Sequence, residues 1–167
     1  MRVYLPTTLP GLAAAAAAGT FAPPPGRPLA AHAVTPAVRE WYIEGDLEEL
    51  EFAVLTDAAQ ASLRLLAQDD AAAARRVVVA ADVPDPAARP VPDAGRSRVE
   101  LSGPVPLTAV ASVHVDEREA GPTVSAAVRA LPAAEAGDDD ALFALDEAEA
   151  CDLLWYDVSE IPHLIAT

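Results

Sequence analysis

The stretch Ala31–Phe52, AHAVTPAVREWYIEGDLEELEF, decides how the chain is read. A short apolar run carries a histidine and then meets Thr35-Pro36, where a threonine N-cap and a proline at the first helical position predict a helix start. Gly45 stops that helix. Asp46-Leu47-Glu48-Glu49 reads as a capping box and opens a second helix that runs to about Ala67. In it Leu47, Leu50, Val54, Ala58, Ala61 and Leu65 recur at helical spacing and predict one apolar face. Glu44, Glu48, Glu49 and Glu51 gather around its first turn, where the helix dipole favours negative charge, so the acidic run has a structural explanation. The stretch is thus a strand handing over to a helix. Trp41 and Tyr42 are expected to anchor that helix on a sheet, and a ligand platform is the functional alternative.

Working outward, Arg2–Leu5 reads as a first strand and Thr8–Ala18 as a helix stopped by Gly19. TFAPPPGRP, a flexible connection near 20–28, is expected to hold no regular element. Downstream, RRVVVAADV, RVELSGPV and VASVHVDE read as strands, and the Pro-rich segment 85–97 as a flexible loop. GPTVSAAVRAL reads as a helix and ALFAL as a short strand. A capping box at Asp146–Glu149 is expected to open a helix through ACDLLWYDVSEI. Both ends of the chain then read β-α-β-α and finish on Trp-Tyr, which suggests an internal duplication. Such β-α-β units predict parallel strand pairs with right-handed crossovers. The expected fold is one α/β domain over 1–167, with a mixed, partly parallel sheet of about six strands covered by helices. A ferredoxin-like α+β arrangement is the alternative.

Composition narrows the function. The 167 residues suit one domain with a core, and 52% are hydrophobic, so the chain is not of the disordered class. Lysine and asparagine are absent, which indicates a high-GC, bacterial genome. A net charge of −15 repels phosphate backbones and anionic lipid, and this argues against nucleic-acid and membrane partners. MRVYLPTTLPGLAAAAAAGTFA is broken by prolines and reads as a strand rather than a secretory leader, so a cytoplasmic location is expected. The single Cys151 excludes an intrachain disulfide and is expected to be an inert, buried thiol.

MRVYLP, HAVTPAVREWY, RRVVVAADVPD, VHVDE and LLWYDVSEIPHL resemble a family of actinobacterial domains of unknown function. The resemblance covers nearly the full length and implies no activity, cofactor or catalytic residue.

Three sets of residues could carry chemistry. His114 and Asp116 are two apart on a strand, so they share a face that could offer a base with its acid, or two metal ligands. Asp82 ends a strand, where open α/β sheets bind ligands. Thr35 also follows a strand, and Arg39 one helical turn on could help it hold a small anion, with Trp41 and Tyr42 alongside. His-x-Asp alone is common, so a polar strand face, with Asp116 capping the following turn, is the preferred reading of the first pair. No phosphate loop, nucleophile elbow or zinc spacing is present, and neither metal nor cofactor is expected. The expected function is a non-catalytic binding or interaction module for a protein or small-molecule partner. The alternative is a small enzyme with a strand-end His/Asp site around His114, Asp116 and Asp82.

Overall fold

The structure is a computed structural model and describes residues 1–166. The strands are β1 (Arg2–Thr7), β2 (Thr20–Phe21), β3 (Leu29–His32), β4 (Val77–Asp82), β5 (Ala88–Pro90), β6 (Arg98–Leu101), β7 (Val105–Pro106), β8 (Val110–Asp116) and β9 (Leu153–Tyr156). The helices are α1 (Leu9–Ala18), α2 (Pro36–Trp41), α3 (Leu47–Leu66), α4 (Gly121–Glu135), α5 (Asp139–Glu149) and α6 (Ile161–Ile165). Seven strands form one sheet in the order β5-β6-β3-β1-β4-β8-β9, and β2 pairs with β7 in a small second sheet.

Every pairing in both sheets is antiparallel, which overturns the expectation of a mixed, partly parallel sheet. The reason lies in how often a connection crosses the sheet. Between β3 and β4 the long helix α3 crosses once, so those strands do run the same way. However, β1 sits between them and is antiparallel to both. After β8, α4 and α5 form a hairpin of two crossings. The chain therefore returns to the end it left, and β9 pairs antiparallel with Leu153 opposite Asp116. The segment ALFAL, expected as a strand, lies inside α5, and Asp138 caps that helix with its side chain on Ala141 N at 2.8 Å. LLWYDV, expected as helix, is β9 followed by a turn whose capping box is Asp157 with Glu160. The strand preference of Trp155 and Tyr156 wins there over the acidic run before it. With Trp41 on a helix and Trp155 on a strand, the two ends are not copies of one β-α-β-α unit. The ferredoxin-like order is not reproduced either, since the main sheet holds seven strands where β-α-β-β-α-β has four.

The starts of α2 and α3 and the stop of α1 follow their sequence signals, whereas α2 ends at Trp41, four residues before the expected stop at Gly45. Thr8 caps α1, Gly19 ends it at φ 74, Thr35 caps α2, and the Asp46–Glu49 capping box opens α3. The Pro-rich segments hold more structure than expected. Thr20–Phe21 pairs with Val105–Pro106, and Ala88–Pro90 pairs with β6.

The sheet is buried on both faces. One face presents Val3, Leu5, Val77, Val79, Val113 and Val115 to Leu9 and Leu12 of α1 and to Ile161 and Leu164 of α6. The other presents Tyr4, Val78 and Ala80 to Leu50, Val54, Ala58 and Ala59 of α3. The far end of α3 packs instead on the α4–α5 hairpin through Leu63, Leu66, Val124, Ala127 and Leu131. Ser62 fastens α3 to the sheet: its hydroxyl donates to Thr7 O at 2.6 Å and accepts from Val77 N at 2.9 Å. Leu47 and Leu65, expected on the buried face, are exposed, because the apolar stripe drifts around a helix this long.

The expectation that Trp41 anchors its helix on the sheet fails. Trp41 and Trp155 are each 60% exposed. Cys151 is half-buried just beyond α5, with its thiol turned back on Glu147 O.

Candidate functional site

Of the residues singled out by sequence, His114, Asp116 and Asp82 do not converge. Asp116 is wholly consumed by Arg76. Its carboxylate accepts Nε at 2.9 Å, Nη2 at 2.7 Å and the backbone N at 2.7 Å. Both side chains are almost wholly buried (2% and 0% exposed), so this pair locks the end of β8 to the start of β4. Asp82 sits at the other end of β4 in an exposed pair with Arg2, which lowers the Asp82 pKa. His114 shares its strand face with Ser112, whose hydroxyl lies 3.1 Å from Nε2, and burial lowers its pKa. Its neighbour across the ladder is Trp155. Among the described residues no group of three or more His, Cys, Asp or Glu could hold a metal.

Of the other candidates, Trp41 and Tyr42 line one cavity of about 290 Å³, and Thr35 braces it from outside the lining. Its walls come from four pieces of chain. The end of β3 brings His32, α2 brings Val38, Trp41 and Tyr42, and the turn before β6 brings Ala94–Ser97. The fourth is a stripe of α3, Ala53-Asp57-Gln60-Arg64, whose spacing puts all four on one helix face. Thr35, wholly buried, braces the first and third pieces. Its hydroxyl accepts from Val38 N as the cap of α2 and donates to Arg96 O. A ladder bond from Ala33 N to Ser97 O, 2.8 Å, draws the same two segments together. Arg39 is exposed on α2 and lies outside the lining.

At the floor of the cavity a hydrogen-bond chain fixes the state of His32. Ser97 Oγ donates to Asp57 Oδ2 at 2.6 Å. Its one proton is then engaged, so its contact with His32 Nδ1 at 2.8 Å is one in which Nδ1–H donates. The neutral ring therefore carries its proton on Nδ1, and Nε2 is a bare acceptor. Nε2 is buried and has no partner. Burial holds the His32 pKa down at about 4; Asp57 opposes this, while Arg98 and Arg64 add to it. An acceptor left unpaired in the interior costs about 1–3 kcal/mol, so the native fold carries a deficit that a donor from outside would relieve.

The charge around the cavity runs against that of the chain. Arg64 and Arg96 line it with one carboxylate, Asp57, engaged by Ser97; Arg64 also pairs with Glu135, outside the lining, at 3.6 Å. The Arg96 guanidinium lies over the Trp41 ring, 3.6 Å from its centroid, which holds the arginine at the rim through a cation–π contact. The lining thus sets two guanidinium groups and an aromatic edge beside a buried histidine whose Nε2 is unpaired.

Asp57, Arg64, Arg96, Ser97 and the role of His32 were not visible in the sequence reading. The helical stripe Asp57-Gln60-Arg64, polar on a helix otherwise rich in Ala and Leu, was the one signal that could have found part of it. Ser97 and Arg96 reach the site only through the β3–β6 pairing, which no local pattern announces.

A model of a family of unknown function (DUF6912) matches residues 1–165, and the chain belongs to that family. No curated protein and no solved structure matches it.

Proposed function

With no activity to inherit from that family, we propose from the geometry that the chain is a binding module for a small anionic molecule that also carries a hydroxyl or N–H donor. The observation that carries this is the buried, unpartnered His32 Nε2 at a cavity rimmed by Arg64 and Arg96. The donor meets Nε2, the anion meets the guanidinium groups, and Trp41 and Tyr42 flank the apolar part. Binding is favoured over catalysis by magnitude. A general base works best with its pKa near the operating pH, and a histidine held at about 4 is too weak a base for that task. The strand-end enzyme reading loses its acid, because Asp116 is committed to Arg76. We also infer an actinobacterial source, from the absence of lysine and asparagine, and a cytoplasmic setting.

Thermal shift against a panel of hydroxycarboxylates, sugar phosphates and nucleoside monophosphates tests the reading. A ligand at a hundred times its Kd adds about 2.7 kcal/mol, which is roughly 5–10 °C in Tm for a chain of this size. Arg96→Gln, a surface change, is expected to remove the shift without lowering the Tm of the free protein. A panel without a single stabilising member, or a shift that survives Arg96→Gln, would show that the cavity is not a binding site of this kind.

A further inference from the structure

We propose that the elbow between α2 and α3 is a docking surface for a segment of another protein in which lysine or arginine flanks a large apolar side chain. The elbow forms because α2 ends at Trp41, Tyr42 caps it out of helical geometry at ψ 73, and Asp46 restarts the chain as α3. Apolar residues of the connection and of the first turns of α3 stay exposed there. Ile43 is 87% exposed, Phe52 66% and Leu47 53%. Tyr42, Ile43 and Phe52 line one shallow groove together with Glu44, Glu48 and Glu49. A contiguous apolar patch with a polar rim marks an interaction site on a soluble protein, whereas single exposed apolar residues do not.

The charge of the rim selects the occupant. Glu40, Glu44 and Glu48 are exposed and make no ion pair among the described residues, and Glu49 is engaged only in the capping box. A second copy of the chain would bring its own acids against these, on a molecule of net charge −15. Anionic lipid and nucleic acid are repelled for the same reason. A cationic amphipathic segment satisfies both halves: its apolar side chain covers Ile43 and Phe52, and its basic groups meet the glutamates.

The groove is distinct from the His32 cavity, and the two meet only at Tyr42, which lines both. The test uses two labelled peptides in fluorescence anisotropy at physiological salt. One has lysines and leucines at helical spacing; in the other every leucine is serine. The leucine peptide is expected to bind about tenfold more tightly than its serine twin. Ile43→Ser/Phe52→Ser should level the two, and Glu44→Lys/Glu48→Lys should weaken the leucine peptide. All four positions are exposed, so the fold is kept. Arg96→Gln should leave peptide binding unchanged, which separates this surface from the small-molecule site. Equal binding of the two peptides overturns the proposal, as does a leucine preference that survives the double serine variant or an affinity indifferent to the charge reversal. Sedimentation that shows self-association lost in the serine variant would assign the groove to a second copy and overturn it too.

Discussion

Acidification should destabilise the fold through His32 in a window that can be set from its surroundings. The ring is 8% exposed and neutral, with its proton on Nδ1 and its pKa held at about 4 against 6.5 for the free side chain. In the unfolded chain the same histidine takes up a proton below about pH 6.5. Between these values the unfolded state binds the extra proton, so stability falls as pH falls. The difference of about 2.5 units corresponds to roughly 3 kcal/mol, gained by the unfolded state between about pH 6.5 and pH 4 and constant below that. This is a large fraction of a typical domain's stability of about 5–15 kcal/mol. Urea unfolding across the window measures it, with His32→Asn as the reference. Asparagine keeps an N–H near the Nδ1 position for Ser97 and cannot titrate, and every other group contributes equally to both proteins. The wild type should lose about 3 kcal/mol more than the variant on going from about pH 7 to about pH 4. Parallel profiles would mean that His32 charges freely in the folded state, and the bare Nε2 at the centre of the proposed site would be lost with it.

Two further outcomes follow from burial. Asp116→Ala leaves the Arg76 guanidinium buried without its counter-ion and should cost about 3–5 kcal/mol in urea unfolding, whereas a cost under about 1 kcal/mol would contradict the buried pair. Trp41→Ala and Trp155→Ala should each cost under about 1 kcal/mol, well short of a core tryptophan, and a larger loss in thermal melts would show that these rings are packed after all.

What the chain made legible was set by distance along it. Gly19, Thr35 and the Asp46–Glu49 box act on residues within a turn of themselves, and these three signals are realised as read, while Thr8 proves to be the cap of α1 and Gly45 does not end α2. Strand partners are chosen across the whole chain, and local pattern does not carry that choice. The Val-rich runs announced β4 and β8, yet β1 inserts beside β4, and a parallel reading became an antiparallel sheet. ALFAL misled because its neighbours, not its own residues, decide its state: Asp138 caps the helix that contains it. The site divides the same way. Thr35, Trp41 and Tyr42 lie in the opening stretch and could be singled out, although the rings were expected inside. Ser97 meets His32 only because β3 and β6 pair, and Asp57 completes the chain from a helix between them in sequence.

The α4–α5 hairpin has a consequence for how this fold can change over time. It leaves the sheet at Asp116 and returns opposite it at Leu153. Its two crossings cancel, so the strands on either side keep their direction whether the excursion is long, short or replaced by a tight turn. Relatives can therefore gain or lose helical pairs at this point without rewiring the sheet, provided that Leu63 and Leu66 of α3 find another cover. A lone helix added there would reverse every strand that follows. Length variation within the family is thus expected in paired steps, concentrated at one end of the sheet, while the segments that shape the His32 cavity stay constant in length.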